Sequence, residues 1–392
     1  MEKLMADVVI CGAGMAGVSA AYHLAVKQGI KKVLLVDERA PLTLTSDKST
    51  EAYRNWWPGP GDTMVRFMNR SIDLLEHLAL ESGNYFNMSR RGYVFLTARP
   101  DQARLMERVA KEISDLGAGP IRTYQGNPDD PAYPPGRPKG YDPGLNGAEL
   151  VLDPARVRRQ YPFIQDTAIA MLHVRRCGWL SAQQLGMYLL QQAKDAGAQY
   201  LMGRVSGVGV GKAGVESVQV TGEKNEWEIT TRSLVIAAGP LLKQAGALVG
   251  IDFPVFNELH GKIAFNDPQG VIPREVPLMI WTDPMRLPWS EEEKDLLAGS
   301  ERTRWLLEEF PSGVHFRPEG GEGSQTILAL WTYDIKPQEP VWPPVFEPEY
   351  AEIVLRGMAG MVPGLSVCLG KAAKPFVDGG YYCKTQENRP LI

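Results

Sequence analysis

Cysteine is scarce in this chain of 392 residues: Cys11, Cys177, Cys368 and Cys383 are the only four. No two of them form a C-x-x-C pair, and none shares a spacing with histidine suited to zinc or an iron–sulfur cluster, so no metal is expected and the thiols should be reduced and mostly buried. An excess of basic charge is also missing. With 42 Lys+Arg against 46 Asp+Glu the net charge is −4 with histidine neutral, and no basic run is present, which excludes the electrostatic footprint of a nucleic-acid binder. Long apolar runs are absent as well. The run at residues 8–11 breaks at once on glycine, and nothing approaches the ~20 apolar residues that span a bilayer. A cytoplasmic location is expected, with peripheral membrane contact or a partner subunit left open. What remains is ordinary for a globular protein, 44% hydrophobic and 22% charged, and long enough for two domains with substantial cores.

Against that background one motif stands out near the start. Asp7-Val8-Val9-Ile10-Cys11-Gly12-Ala13-Gly14-Met15-Ala16-Gly17 is a buried strand running into G-x-G-x-x-G. Gly12 suits the tight turn, Gly14 lets backbone approach a pyrophosphate, and Gly17 lets helix and strand pack closely. The phosphates would sit at the helix N-terminus, beside Met15 and Ala16. A helix over 20–26, ended by Gly29, precedes a second apolar strand at 33–36 that delivers Asp37 and Glu38. Asp37 lies 20 residues after Gly17, the spacing at which a carboxylate meets an adenosine ribose. NAD and FAD satisfy this pattern equally.

Farther along, apolar spacing predicts helices over 63–80, 101–116, 153–161, 181–197 and 349–361, the 181–197 helix capped by Ser181 and stopped by Gly197. Residues 117–146 are dense in proline and glycine and read as a long loop. Strands are expected at 92–96, 198–202, 205–210, 215–220 and 234–240. From 254 to 330 the pattern alternates, which points to an antiparallel sheet, interrupted at 289–310 by a charged insert with a Ser290/Glu293 capping box. The helix at 349–361 is expected to return the chain to the first domain.

The ordered set of these pieces resembles the FAD-dependent D-amino-acid oxidase superfamily, the group of glycine and sarcosine oxidases and dimethylglycine dehydrogenase. It is carried by residues 9–22, 33–37, Thr45-Ser46-Asp47-Lys48-Ser49-Thr50, Gly178-Trp179-Leu180-Ser181, 236–240, 313–321 and 380–392. The resemblance implies an α/β fold: a Rossmann-like FAD-binding domain of the glutathione-reductase-2 type, at 1–85, 150–245 and 345–392, interleaved with an antiparallel-sheet α+β substrate domain at 86–149 and 246–344. It assigns FAD to the glycine loop, to Asp37 and Glu38, to Ser46, Lys48, Ser49 and Thr50, to a backbone contact at Val205, and to Ala238 and Gly239 under the cofactor. It further implies hydride transfer to flavin from the C–N bond of a small amine or amino acid of the glycine-derivative, sarcosine or proline type, with oxygen or another acceptor completing the cycle. Oxidation of a hydroxy acid or glycerol 3-phosphate on the same fold is one alternative, and a non-catalytic flavin-binding subunit is another.

Relatives that bind flavin covalently use a histidine after the second strand or a cysteine near the C-terminal motif. Residues 45–56 contain no histidine, Gly380 occupies the cysteine position, and Cys383 is three residues out of register, so non-covalent FAD is expected. Arg317 and Arg54 are the candidates for holding a substrate carboxylate. His260, Lys262 and Tyr382 are expected to face the reacting carbon, and Trp331 to line an aromatic wall. Leu328 falls where monomeric sarcosine oxidases carry an oxygen-activating lysine, which favours an acceptor other than oxygen. The chain ends at Asn388-Arg389-Pro390-Leu391-Ile392, inside the superfamily's C-terminal motif, so a truncated cofactor domain with weak FAD binding is expected.

Overall fold

Four short, apolar strands form a parallel sheet in the order Gln199–Met202, Val33–Asp37, Val8–Cys11, Leu234–Ile236. The computed structural model describes residues 1–391 except 135, 137–139, 141, 322 and 371–374. Continuous apolar runs are what such a sheet requires, because both of its faces are covered. On one face Ile10, Val33 and Leu35 pack with Val18 and Ala21 of helix Met15–Tyr22 and with Leu185, Leu189 and Ala193 of helix Ala182–Asp195. On the other, Val9, Leu34 and Val36 meet Val205, Val218, Val220 and Ile229. These last belong to a four-stranded sheet of Glu2–Met5, Glu226–Thr230, Gly214–Thr221 and Arg204–Gly211. The first helix starts earlier than its apolar pattern suggested and ends in a wide turn, His23–Lys27, before Gly29.

The second unit is a nine-stranded sheet ordered Phe376–Thr385, Val255–Asn266, Thr326–Leu330, His315–Pro318, Leu278–Trp281, Tyr93–Thr97, Ala170–Val174, Ala148–Val151, Ile121–Tyr124. It is antiparallel except where Leu278–Trp281 meets Tyr93–Thr97 and where Ile121–Tyr124 meets Ala148–Val151. Two expectations are corrected here. Helix Tyr350–Met361 does not return to the parallel sheet: Ile353, Val354, Met358 and Met361 pack against Ile263, Met279, Phe316, Ile327 and Ala329 of the large sheet. The parallel sheet has no face left to cover, whereas the large sheet offers alternate apolar residues that need one. The strands at 148–151, 170–174 and 376–385 likewise pair within the large sheet, so residues 150–174 and most of 345–392 build the second unit. The expected loop at 117–146 also contains the strand Ile121–Tyr124, and part of it lies outside the described residues.

At the outer edge of this sheet Glu149, fully buried, accepts from Arg122 at 2.6 and 2.8 Å, from Arg175 at 3.0 Å and from the Tyr124 hydroxyl at 2.9 Å. Beside it His173 Nε2 donates to the Arg91 carbonyl at 2.9 Å, which leaves Nδ1 to accept from the Tyr133 hydroxyl at 2.6 Å. Burial, reinforced by Arg175, holds this imidazole neutral and its pKa well below the ordinary 6.5. The unfolded chain therefore binds a proton that the folded chain refuses, and stability should fall as pH drops through about 6.5. His173→Gln, less stable than wild type at pH 7, should lose less on acidification. Melting curves should show the gap narrowing at pH 5; a constant or widening gap contradicts the assignment.

Candidate active site

A cleft of about 730 Å³ opens along the C-terminal ends of the parallel strands, the position where open α/β sheets take ligands. It is lined by Gly12, Gly14, Met15 and Ala16, by Asp37 and Glu38 at the end of the second strand, and by Val205, Ala238 and Gly239. Each of those sequence candidates is thus brought to one place. Gly12 has φ +107°, and a Cβ there would lie 2.4 Å from the Ala237 carbonyl oxygen. Gly17 is not in the wall; a Cβ on it would lie 1.9 Å from the Gly12 carbonyl oxygen, so its bareness lets helix and turn touch. Helix Met15–Tyr22 begins at Gly14 without a cap of its own. Ser46 supplies one from a distance, its Oγ accepting from the Met15 N–H at 3.0 Å. Asp37 accepts from the Ala13 and Arg39 N–H groups at 2.7 and 3.0 Å.

These features fit a dinucleotide. The bare backbone at the helix start would be filled by any Cβ, the N–H groups and dipole there suit phosphate, and a carboxylate stands at the end of the second strand.

The other candidates gather beyond this cleft, on one face of the nine-stranded sheet, for a simple reason. Side chains alternate along a strand. Ile263, Met279, Phe316 and Ile327 point into the core, and their neighbours point the other way. Those neighbours are His260 and Lys262 on one strand, Asp378 and Tyr382 on the next, His315 and Arg317 on a third, and Tyr93 farther along, matched across the pairs Lys262↔Leu330↔His315 and Lys262↔Asp378. Opposite this face runs the chain just after Ser46. Residues Thr45–Lys48 form one helical turn where an open loop was expected, with Lys48 bridging Asp47 at 2.8 Å and Asp378 at 3.0 Å. Lys262 Nζ donates to the Ser49 carbonyl at 3.4 Å, Arg317 Nε to the Thr50 carbonyl at 3.1 Å, and the Tyr382 hydroxyl lies beside Ser49 and Thr50. Lys48, Ser49 and Thr50 are therefore outside the cleft wall and join it to the sheet face.

His260 stacks on Tyr382, ring centroids 4.2 Å apart. Its Nε2 lies 3.2 Å from Glu258, which also takes Lys384 at 2.6 Å, and Nδ1 lies 3.4 Å from the Thr332 hydroxyl. Burial lowers the pKa of His260, His315 and Lys262. Two of the arginine and aromatic expectations change. Arg317 is not open to a ligand carboxylate: its fork is occupied by Glu319 at 2.5 Å and Glu51 at 3.5 Å. Trp331 faces the core under Phe310, its Nε1 donating to the Pro311 carbonyl at 3.0 Å, and lines no part of this face.

Arg54, on the short strand Ala52–Arg54, is different. Its guanidinium lies 4.2 Å from the Trp57 ring, and among the described residues it has no acidic partner; its Nε is shut from solvent with nothing to donate to. It is paired across the strands with Cys177 and lies near enough to Tyr93 and His315 for its charge to be felt there. Tyr93, Glu51 and His315 were not among the sequence candidates. The alternation that exposed His260 and Lys262 was available for Tyr93 and His315 too, but matching them needed a strand order the sequence does not state.

Among the described residues no helix is long and apolar enough to cross a membrane, and no cluster of acidic, histidine and cysteine side chains could hold a metal. The fold is similar to that of solved flavoenzymes. L-proline dehydrogenase from P. horikoshii superposes with a TM-score of 0.71 at 18% identity, covering 99% of this chain and 84% of that one. Glycine oxidase from Geobacillus kaustophilus gives 0.70 at 14% identity, covering 100% and 85%. Among curated proteins, human mitochondrial dimethylglycine dehydrogenase is 23% identical over 287 residues, 71% of this chain and 28% of that protein; the chain spans less than a third of such a relative. The family described as "DAO: FAD dependent oxidoreductase" matches residues 7–392. With the glycine turn, the distant Ser46 cap and the cleft above them, this match establishes that the chain belongs to the DAO family of FAD-dependent oxidoreductases.

Proposed function

We propose that this chain oxidises the C–N bond of a small amino acid or N-substituted glycine. The observation that carries it is Arg54: a half-buried guanidinium stacked on Trp57, with no acidic partner among the described residues and its Nε shut from solvent without an acceptor. A guanidinium in that state is a receptor for a carboxylate, because two parallel N–H···O bonds satisfy it and the ligand together. The names of the solved relatives point the same way: proline dehydrogenase, glycine oxidase and an iminodiacetate oxidase all take amino acids.

Gly14, Met15 and Ser46 would hold the pyrophosphate of FAD, Asp37 the ribose, and Val205 the adenine edge. When bound, FAD supplies the hydride acceptor. The protein's own work is positioning. Arg54 holds the carboxylate, while Tyr93, His315 and the His260–Tyr382 stack wall off water around the neighbouring carbon. Hydride departure needs the amine as free base. Burial and the nearby Arg54 charge both disfavour the ammonium form, and His260 and His315, whose pKa values burial lowers, contribute no negative charge of their own. Glu51 and Glu319 keep Arg317 as a brace for the Thr50 carbonyl.

FAD is held without a covalent bond. Gly380, at the position of the family's flavin-linked cysteine, packs against Lys48 and Thr45, where a Cβ would come within 3.0 and 3.2 Å. Acid precipitation should leave the FAD in the supernatant; a yellow pellet contradicts this. Electrons pass to an acceptor other than oxygen, since Leu328 is apolar and the charge of Lys262 is offset by Asp378, Glu51 and Asp47. With sarcosine, proline or iminodiacetate as substrate, an artificial dye should support faster turnover than oxygen, with one imine-derived carbonyl product per dye reduced. Equal rates with oxygen overturn the choice of acceptor, and absence of a carbonyl product overturns C–N oxidation.

A further inference from the structure

The segment 334–347 has prolines at 337, 340, 343 and 344 and forms no helix or strand of its own. Proline fixes φ at each of those points, so the strap is stiff rather than slack. It is tied at both ends. Pro337 bridges Glu258, the Gln338 N–H donates to the Asn257 carbonyl at 2.9 Å, and Asn257 Nδ2 in turn donates to the Pro240 carbonyl at 2.9 Å, beside the cofactor cleft. At the other end Phe346 lies on the bare backbone of Gly379 and Gly261, where added Cβ atoms would come within 2.6 and 2.8 Å of its ring.

Between these ties the strap treats its apolar side chains unequally. Val341 and Val345 are left in water, 57% and 77% exposed, while Trp342 turns inward and joins the wall of the cleft with Asp37, Arg39, Thr45 and Tyr381. Its ring meets Tyr381 edge-on at 5.7 Å, and the Arg39 guanidinium lies 5.5 Å from its centre. Among the described residues Arg39 pairs only loosely, with Glu38 at 3.8 Å. An indole held between a cation and a tyrosine at the mouth of a dinucleotide cleft shields a ligand from water, and the cation adds attraction for phosphate. We propose that Trp342 and Arg39 form a latch over the FAD cleft that slows cofactor loss. This goes beyond the reaction proposed above and does not depend on which substrate is oxidised.

The test uses the full chain, stripped of flavin and reloaded with FAD, with affinity and dissociation followed by flavin fluorescence. Trp342→Ala should weaken FAD binding about tenfold and speed dissociation by a similar factor, and Arg39→Met should weaken binding about threefold. The double variant should be little worse than Trp342→Ala, because the two side chains act through one contact. Trp342→Phe keeps the packing and should lie between. Wild type should also lose more tryptophan emission on FAD binding than Trp342→Phe does. Dissociation of Trp342→Ala within twofold of wild type overturns the latch. Should that variant not fold, Trp342→Phe and Arg39→Met decide: unchanged affinity in both, with equal emission loss, overturns it as well.

Discussion

Replacing Arg54 with methionine should raise the KM for an amino-acid substrate about a hundredfold, with a much smaller change in kcat. Loss of a charge-assisted hydrogen-bonding partner for a carboxylate costs about 1.5–3 kcal/mol, and a hundredfold is about 2.7 kcal/mol, inside that range. Met keeps an unbranched side chain of similar reach and removes the fork together with its stacking on Trp57. Arg54→Lys keeps the charge as a point donor and should recover about a tenth of the lost affinity or more. An amine lacking a carboxylate should be nearly indifferent to either change. A KM within threefold of wild type for Arg54→Met would mean that the carboxylate is held elsewhere, and Arg317 would first have to shed Glu51 and Glu319.

The second large effect belongs to Gly17. A Cβ there would lie 1.9 Å from the Gly12 carbonyl oxygen, a backbone atom at the base of the turn, with Ile10 also close. The Gly12 backbone cannot yield without moving the turn or the helix, so Gly17→Ala should cost about 3 kcal/mol of stability and abolish FAD binding. Gly14→Ala is the control. Its Cβ would meet only the Ser46 hydroxyl at 3.2 Å, so the fold should survive with a near-wild-type melting temperature while FAD affinity falls. Equal melting temperatures for Gly17→Ala and wild type contradict the packing role of Gly17.

The cofactor cleft was legible in the sequence because its parts are local. Gly12, Gly14 and Gly17 sit in one turn, Asp37 ends the next strand, and a few residues later Ser46 returns to cap the first helix. The sheet face was legible in part. His260 and Lys262 alternate with Leu259, Gly261 and Ile263, so their shared direction followed from the strand period alone. What the sequence withheld were pairings between distant segments. Nothing near Tyr382 announces that it lies over His260, because that contact comes from the register of Phe376–Thr385 on Val255–Asn266. Arg317 read as a free cation because neither the turn of the nearby Glu319 side chain onto it nor the approach of the distant Glu51 is written in the strand period. Tyr350–Met361 read as a returning helix because an apolar helix face does not name the sheet it will cover. Trp342, in a proline-rich stretch, gave no periodic signal at all.

Hydride transfer to FAD from an amino acid held by Arg54 is what we propose for this chain. Its most direct test is anaerobic absorbance of the FAD-loaded protein, titrated separately with sarcosine, proline, iminodiacetate, 2-hydroxyglutarate and glycerol 3-phosphate. The yellow band should bleach with at least one of the three amines, in wild type far more readily than in Arg54→Met, and persist with the two hydroxy compounds. Bleaching by a hydroxy compound alone, or no bleaching by any amine at saturation, would contradict it.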